Sequence, residues 1–385
     1  MATFKKEDSG KWSFRATTGS RENRKRIYRT GFKTKREAVQ AASSIESSMD
    51  RGQRPELSRT DFPHYFNSWI NTFKIGKHSA STDRWYKTTA GYIAEYFTGT
   101  PMGKINRASY QQFIDWLGTT PRGKFKKPLS KSTVSRVNAY VRTVVKDAIE
   151  DGAIARDFTR RVELGGREGK PESEKYLSLA DFHNVIELAK HRADMRHMAD
   201  YVLIFQAYTG ARYEEALGLA WDRVDFDNMT VKFDRSWDYK SRKQFDSFGG
   251  LKNDPSYRTI AISQTLADVL RKLQVEQMLM FQAQKFKDPD NLVFRNANHR
   301  MGDNAGANDT LRRLCKAAKT KNVITTHGLR HTHGSVLIYE GVDLLSVSRR
   351  LGHGNIQTTA DTYVHEIDEM KARDDKKITD ILDKV

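Results

Sequence analysis

The chain has 385 residues, and 66 Lys and Arg against 48 Asp and Glu give it a formal net charge of +18. This length predicts two or three domains, and the positive surplus indicates a polyanionic partner. Anionic membrane is the weaker alternative, because no long basic amphipathic helix has an aromatic and aliphatic face. No apolar run approaches the roughly 18 residues of a membrane span and no signal-peptide core is present, which predicts a soluble, cytoplasmic protein. Cys315 is the only cysteine, so an intrachain disulfide is excluded, and we expect it to pack as a small apolar residue on a helix.

The first segment predicts a small sheet with one helix packed on it. Three short alternating runs fill residues 2–31 and are separated by turn residues at 8–10 and 18–20. The alanine-rich stretch 33–49 has its apolar residues at helical spacing. We expect the core of this sheet to contain four aromatic side chains, Trp12, Phe14, Tyr28 and Phe32.

Half of the charge surplus lies in this first segment. Residues 1–36 hold 12 Lys and Arg against 3 Asp and Glu, a surplus of +9. A charge run is often only a solvated face, and that interpretation stays open for this segment taken alone. A sheet can also lie in the DNA major groove and contact base edges. The candidate DNA-binding residues are Arg15, Arg24, Lys25, Arg26 and Arg29.

A helical module is predicted after a polar linker at residues 51–60. Aromatic or aliphatic residues recur at three- and four-residue spacing in 62–75, 81–97, 109–117 and 130–149, which predicts a four-helix bundle. The segment RGKFKKPLSKST precedes the last helix, where basic side chains at a loop and a helix start are suited to phosphate. Its candidates are Lys124, Lys126, Lys127 and Lys131. Residues 165–174 form a second linker and predict a flexible hinge.

From residue 175 onward the chain is predicted to be mostly helical, with one interruption by strands. Ser178 is expected to cap an amphipathic helix, and the apolar stretch 198–208 is expected to be central to the core. Arg212 opens the next helix; without the motif further downstream, the default interpretation is a surface ion pair with Glu215 or its neighbours. Two strands are predicted around residues 227 and 228, followed by a hairpin with its turn at 253–255. Lys252 lies at the entry to that turn, where a solvated lysine is the ordinary alternative. Helices over 264–286 and 309–319 follow.

Residues 326–365 concentrate histidine, arginine and one tyrosine in sequence with helical spacing. Threonine N-cap types at 325 and 326 and a glycine at 341 delimit a first helix, which carries His327 and Arg330 on one face of its first turn. A second helix over 343–351 ends at a glycine and places His353 at a turn. A third predicted helix contains Tyr363. A hydroxyl near two imidazoles and a guanidinium, at a helix start, is a chemical set for attack on phosphorus.

Each of these residues also has an ordinary structural interpretation. A single tyrosine in a helix is usually a core residue, and a histidine at a helix start is usually a cap. The histidines at 327, 331 and 333 allow a zinc site as well, but no HExxH glutamate follows and Arg330 would repel a cation. It is the ordered combination that favours phosphoryl transfer without a metal.

The last ten residues, KKITDILDKV, carry an apolar stripe. The stripe consists of Ile378, Ile381, Leu382 and Val385. It can cover the core of its own domain or dock on a neighbouring subunit, and the second interpretation is favoured.

Five motifs occur in order along the second half, TGARYEEALGL, LKNDPSYRTI, HGLR, LGHGN and TADTY. With them the chain resembles the tyrosine recombinase, or phage integrase, family, and especially integrases of Gram-positive phages and conjugative transposons. The resemblance implies a mainly α fold with small β-sheets in three domains. These are an arm-type DNA-binding domain of three strands and a helix (1–55), a helical core-site DNA-binding domain (61–164) and a mixed, mostly α catalytic domain with a C-terminal tail helix (175–385).

The resemblance also implies a role for each motif residue. The catalytic set is Arg212, Lys252, His327, Arg330, His353 and the nucleophile Tyr363, with Glu215 as the accessory acid. The implied reaction cleaves and rejoins DNA through a 3′-phosphotyrosyl intermediate, needs no cofactor, and integrates or excises a mobile element or viral genome. The implied partners are double-stranded DNA at core and arm sites, the other subunits of a homotetramer, and accessory DNA-bending or excision factors, in the cytoplasm of a bacterial host.

Two other functions stay open beside this one. A type IB topoisomerase shares the nucleophile and much of the pocket, although the arm-like segment and the spacing from LGH to Tyr363 argue against it. A non-catalytic DNA-binding regulator with a decayed site is the second, and chemically competent residues at all seven motif positions argue against that.

Overall fold

The computed structural model describes residues 2–18, 25–50, 54–123, 126–238, 248–251, 254–363, 379 and 382–383. Contacts divide the chain into two compact units, Met1–Gly169 and Lys170–Val385. The described residues are mainly helical and contain three small antiparallel sheets, which confirms the predicted fold class. None of the helices in the described residues is long and apolar enough to span a membrane.

The first unit begins with a three-stranded antiparallel sheet. Its strands are β1 (Thr3–Lys6), β2 (Trp12–Thr18) and β3 (Lys25–Phe32), followed by helix α1 (Lys35–Asp50). One face of β2 buries Phe14 completely against α1, as predicted, and Trp12 and Phe32 pack around it. The core prediction for Tyr28 is wrong, because this side chain is 51% exposed. Tyr28 pairs in register with Arg15 on β2, and cross-strand partners share a face, so both lie on the side away from α1.

A helical bundle completes the first unit. Its helices are α2 (Pro55–Ser58), α3 (Phe62–Phe73), α4 (Ala80–Tyr96), α5 (Arg107–Thr119) and α6 (Lys131–Glu150). The last four confirm the predicted bundle, while α2 occupies part of the stretch predicted as a linker. Ser130 caps α6 by accepting a hydrogen bond from the Thr133 amide at 3.3 Å. Aromatic side chains of three helices meet in a single buried core.

The start of the second predicted linker is bound to this unit. The Arg167 amide donates to the Leu129 carbonyl at 2.9 Å, and the Lys131 amide donates to the Arg167 carbonyl at 2.9 Å. Gly166 has φ +117° and packs so closely that an added Cβ would lie 2.9 Å from the Leu129 carbonyl oxygen. The prediction of a flexible hinge is therefore wrong for these residues.

The described part of the second unit contains seven helices, a further helical segment at residues 356–363 and two small sheets. The helices are α7 (Leu179–Arg192), α8 (Met198–Thr209), α9 (Tyr213–Leu217), α10 (Gln264–Ala283), α11 (Asn304–Ala317), α12 (Thr326–Tyr339) and α13 (Leu344–Leu351). Helix α8 is apolar on almost every side and contacts α7, α9, α10, α11 and α12, which confirms its predicted central place. Cys315 is buried on α11, as expected.

The strands of this unit pair differently from the prediction. Strands β4 (Val224–Asp225), β5 (Thr230–Phe233) and β8 (Arg258–Ala261) form one sheet, and β6 (Ser236–Trp237) and β7 (Phe248–Gly249) form another. The segments flanking the predicted turn at 253–255 thus belong to different sheets and are not a hairpin. The physical reason is burial: Val231 and Ile260 face each other across β5 and β8 and are both buried in the core.

The C-terminal helices follow the predicted pattern. Thr325 caps α12 by accepting from the Gly328 amide at 3.3 Å, and Gly352 ends α13 in the left-handed conformation at φ +68°. Residues 356–363 are helical and bring the chain to Tyr363. Most of the predicted apolar tail stripe lies outside the described residues, and Leu382 is exposed.

Candidate active site

Arg212 is held at the start of α9 by a single carboxylate. Helix α8 ends at Gly210 in the left-handed conformation, and Arg212 follows as the N-cap of α9. Its backbone amide donates to Glu215 Oε2 at 3.0 Å, and its guanidinium Nη1 donates to Oε1 of the same side chain at 2.5 Å. Nη2 donates to the Gly352 carbonyl at 3.3 Å. Gly352 lies 140 positions from Arg212 in sequence, so one neighbouring and one distant residue together fix this guanidinium.

Arg330 lies in the first turn and a half of α12 and is 3% exposed. Its Nη1 donates to the Gly210 carbonyl at 2.7 Å, and its Nη2 donates to the Leu351 carbonyl at 2.6 Å. These carbonyls belong to the ends of α8 and α13, where helices leave acceptors unpaired and carry a partial negative charge. Two helix C-termini therefore orient this guanidinium without a carboxylate of its own.

The charges in the site act strongly on one another. Burial, and then the neighbouring Arg212, lower the pKa of Arg330, but a guanidinium stays protonated at neutral pH. Burial alone would raise the pKa of the Glu215 carboxyl; the guanidinium groups of Arg258 and Arg212 outweigh it and hold that pKa below its usual range. The site thus combines several cations with one ionised acid, and its net positive charge favours an anion.

His353 follows the turn at Gly352, as predicted. Its Nδ1 lies 2.7 Å from Thr359 Oγ1. Burial, and then the charges of Arg330 and Arg212, lower the pKa of His353 to about 3. The imidazole is therefore neutral at physiological pH and has one N–H to donate to an oxygen.

A cavity of about 190 Å³ opens between α9 and the start of α12. Its lining includes Arg212, His327 and Arg330 together with Gln206 and Asn304. Gln206 is buried, and its Oε1 is without a partner among the described residues. The structure thus brings the two predicted arginines and the first predicted histidine together around one space that can hold a small anion.

Tyr363 packs against α12 one turn beyond Arg330, on the same face of the helix, and is 1% exposed. Its ring centroid lies 6.2 Å from that of His331, which in turn lies 4.5 Å from that of His327. A Cβ built at Gly334 would lie 2.1 Å from the Tyr363 hydroxyl oxygen, so only glycine leaves room for the ring at this place. The tyrosine also lies close enough to Arg330 to affect the pKa of its guanidinium. Burial and Arg212 have the larger effects and lower that pKa overall, whereas Tyr363 acts in the opposite direction and raises it.

The remaining predicted site residues are not among the side chains described at this centre. Lys252, Arg24 and Lys124 lie outside the described residues, and Lys25 and Arg26 are described only as part of the backbone of β3. Arg15 lies 5.3 Å from the Tyr28 ring centroid on the outer face of the first sheet, and Arg29 is on β3. In the bundle, the backbones of Arg122 and Lys127 pair to close the turn that carries Lys126. Lys131 forms an exposed ion pair with Glu168 at 2.9 Å.

The sequence analysis did not assign three side chains to this centre, the buried Arg258 and His333 and the partly buried Arg350. Arg258 binds Glu215, and Arg350 donates to Nε2 of His333 at 3.1 Å, while His333 Nδ1 lies 2.8 Å from the Ala207 carbonyl. Arg258 belongs to the motif LKNDPSYRTI, but the sequence did not indicate that it binds Glu215.

In the part of the chain that the structure describes, no group of three or more His, Cys, Asp or Glu side chains could hold a metal ion.

Comparison with known proteins places these features in one family. The family model described as Phage integrase family matches residues 175–370. An Arm DNA-binding domain model matches residues 3–49, and a Phage integrase SAM-like domain model matches residues 61–163.

Relatives match along nearly the whole chain. A protein named Tyrosine recombinase XerC-like from Caldanaerobacter subterraneus subsp. tengcongensis is 23% identical, covering 97% of each chain. The ICEBs1 integrase of Bacillus subtilis is 21% identical, covering 91% of each. Among solved structures, the Tn1549 transposon integrase in complex with transposon right end DNA aligns with a TM-score of 0.65 at 16% identity, over 79% of this chain and 95% of that one. A lambda integrase dimer bound to a core site aligns at 0.57 and 11% identity, over 94% of each chain.

Proposed function

Because this chain belongs to the phage integrase family of tyrosine recombinases, we propose that it is a site-specific DNA recombinase whose Tyr363 cleaves and rejoins DNA to integrate or excise a mobile element. The observation that supports the assignment of its residues is the convergence of Arg212, Arg330 and His327 on one cavity, with Tyr363 packed one turn further along the same face of α12. A scissile phosphate is an anion of suitable size and charge for that cavity.

The two arginines supply the electrostatic part of catalysis. Each guanidinium can bind a non-bridging phosphate oxygen through two N–H groups, and both are already oriented by carbonyls or by Glu215 before DNA arrives. The negative charge that develops on the oxygens of the pentacoordinate phosphorus is therefore stabilised by hydrogen-bond donors that are already in place. Removing one such donor typically costs about 3 kcal/mol or more of activation free energy.

The nucleophile needs help with its proton. A phenol has a pKa of about 10 and is mostly protonated at neutral pH, so it requires a proton acceptor or a strongly positive surrounding. His327 can accept the phenolic proton or bind a phosphate oxygen, and His353, being neutral, can donate its single N–H to another oxygen. Before attack, the Tyr363 hydroxyl must move from its buried place beside Gly334 toward a phosphate in the cavity, which lies about one turn away along the same face of α12.

The protein and the DNA together supply every atom and proton that the covalent step requires. The phenolic oxygen forms a bond to phosphorus, the bond from phosphorus to the 5′-oxygen breaks, and Lys252 is the proposed acid that protonates the leaving 5′-hydroxyl. The 3′-phosphotyrosyl bond retains the energy of the broken phosphodiester. A 5′-hydroxyl of a second duplex can therefore reverse the step without ATP.

Double-stranded DNA is the partner. The proposed domains are an arm-type DNA-binding domain at 1–55, a core-site DNA-binding domain at 61–164 and the catalytic domain at 175–385. One protomer could then bind two DNA segments at a high effective concentration, as linked binding modules do. The assembly we propose is a homotetramer on two recombining sites in the bacterial cytoplasm, with the tail helix as the subunit link and accessory DNA-bending or excision factors as further partners.

The test is covalent capture. The full chain is incubated with nicked duplexes that span candidate core sites, with and without EDTA, and the products are separated on a denaturing gel. Wild type is expected to give a protein-linked DNA band that EDTA does not change, and Tyr363→Phe is expected to give none. Strand joining between two different duplexes separates a recombinase from a type IB topoisomerase, and the lack of any adduct on every core site would support a non-catalytic regulator.

A further inference from the structure

We infer that Arg258 is a positioning residue for this reaction, which sets Arg212 and His353 relative to the scissile phosphate through Glu215 and the turn after α13. The inference rests on the proposed function. Arg258 Nη2 donates to Glu215 Oε2 at 2.9 Å, and its Nε donates to the Arg350 carbonyl at 2.7 Å. One guanidinium thereby joins the acid that holds Arg212 to the end of the helix that precedes His353.

Arg258 itself has little capacity to bind DNA. Its side chain is 7% exposed and its guanidinium carbon lies 4.3 Å from the centroid of the Phe233 ring. Its third nitrogen, Nη1, donates to the Ser256 carbonyl at 2.9 Å, so every nitrogen of the guanidinium has a protein acceptor. The residue therefore acts through its neighbours and is not a catalytic residue.

The turn at Gly352 is built directly against this guanidinium. An added Cβ at Gly352 would lie 3.0 Å from Arg258 Nη1 and 3.0 Å from the Pro255 carbonyl oxygen. The carbonyl of Gly352 accepts from Arg212 Nη2 at 3.3 Å, and His353 is the next residue. Any displacement of Arg258 is therefore transmitted to one backbone position that contacts both catalytic groups.

Glu215 shows why a second arginine is needed. Its Oε1 faces Arg212, and its Oε2 receives Arg258. With both oxygens bound, the carboxylate cannot rotate, and its charge is divided between two cations. Without Arg258, the whole negative charge would be available to Arg212, and that guanidinium would be drawn toward the acid and away from the phosphate.

The experiment compares two scissile groups in the same nicked core-site DNA. One substrate has the natural phosphodiester, and the other has a methylphosphonate, which lacks one negative oxygen and so needs less stabilisation by cations. Single-turnover cleavage is measured for wild type, Arg258→Lys and Arg212→Ala, together with DNA affinity and the melting temperature. Lysine keeps the charge of Arg258 but cannot bind Glu215 and the Arg350 carbonyl with a fixed planar fork.

We expect Arg258→Lys to cleave the phosphodiester on the order of 10²-fold more slowly than wild type, the loss typical of a small misplacement of a catalytic group. On the methylphosphonate the loss should shrink to a few-fold, in parallel with Arg212→Ala, while DNA affinity stays unchanged. The matched control is Arg271→Lys. The guanidinium carbon of Arg271 also lies over a phenylalanine ring, 4.9 Å from the centroid of Phe226, but this side chain is exposed and its ion pair is with Asp268 and not with Glu215. It should behave as wild type on both substrates.

Three results would overturn the inference while leaving the recombinase function intact. These are wild-type rates for Arg258→Lys, an equal loss on both substrates, or a loss explained by lower DNA affinity. If Arg258→Lys does not fold, Phe233→Leu, which removes only the ring beneath the guanidinium, should show a smaller loss with the same substrate dependence; a substrate-independent loss would again reject the inference. Absence of any adduct with wild type would instead reject the proposed function.

Discussion

The hydroxyl of Tyr363 lies against Gly334 with no space for a side chain between them, since a Cβ at Gly334 would approach its oxygen to 2.1 Å. The same glycine sits on α12, the helix whose first turn carries His327 and Arg330. The helix that organises the cavity therefore also shelters the nucleophile, one turn further along the same face.

Gly334→Ala should expel the tyrosine ring from this place. We expect the variant to lose about 1–3 kcal/mol of unfolding free energy, as overpacked cores do, and Tyr363 to become reactive toward nitration, measured by mass spectrometry of the modified peptide. The control is Gly91→Ala, a helical glycine of α4 whose Cβ would meet nothing within 4 Å, and which should be neutral or slightly stabilising. Equal nitration of wild type and Gly334→Ala would show that the ring is already accessible in solution.

Glu215→Gln should weaken both stability and catalysis. Removing the charge leaves Arg258 and Arg212 without their shared acid in a buried setting, which typically costs about 3–5 kcal/mol of unfolding free energy. Urea denaturation measures this loss, and single-turnover cleavage measures the accompanying drop in rate, expected to be on the order of 10-fold or more. Glu340→Gln, at the exposed end of α12, is the matched control and should stay within about 0.5 kcal/mol of wild type. A stable Glu215→Gln with wild-type cleavage would mean that the acid has no part in holding Arg212.

His333 should make the second unit sensitive to mild acid. Burial, and then the charge of Arg350, lower the pKa of His333 to about 3, whereas an unfolded histidine titrates at about 6.5. Above the unfolded value both states are neutral and the stability is complete. As the pH falls below it, only the unfolded chain binds the proton, so stability is lost progressively down to the folded value, by up to roughly 1.4 kcal/mol per pH unit.

The measurement for His333 is the unfolding free energy between pH 7 and pH 5, compared with that of His333→Gln. Glutamine can donate to the Ala207 carbonyl and accept from Arg350 as the histidine does, but it does not titrate. The variant should therefore lose less stability over this pH interval. Parallel curves for the two proteins would show that His333 is not the source of the acid sensitivity.

Lys127 should contribute one phosphate contact to DNA binding. It lies in the turn closed by its backbone hydrogen bonds with Arg122, whose guanidinium stacks on the Trp116 ring at 3.5 Å and keeps the turn in place. Lys127→Gln is expected to lower affinity for all sequences alike and to reduce the slope of log K against log salt by about 0.9. Lys285→Gln, on the surface of the second unit, is the control for loss of a positive charge. An unchanged slope for Lys127→Gln would remove this lysine from the DNA interface.

Local sequence alone determined the helices and their ends. Ser178 and Thr325 were recognisable as caps because an N-cap interaction spans only three residues, and each one accepts the expected amide hydrogen bond. The family motifs likewise named Arg212, Glu215, Arg330 and His353, because those residues keep a fixed order in the chain. The structure places all four in one connected set of hydrogen bonds and charges.

Long-range partnership was decided only by tertiary structure. Nothing near Arg258 in sequence indicates that it binds Glu215, 43 residues away, and the packing of the Tyr363 ring on α12 depends on the absence of a Cβ at Gly334. Tyr28 was assigned to the wrong face because a register shift between Trp12 and Phe14 breaks the strand alternation, so that Tyr28 and Phe32 lie on opposite faces although they are four residues apart. These choices depend on burial and electrostatics summed over residues far apart in the chain, whereas caps and helical periodicity are settled within a few residues.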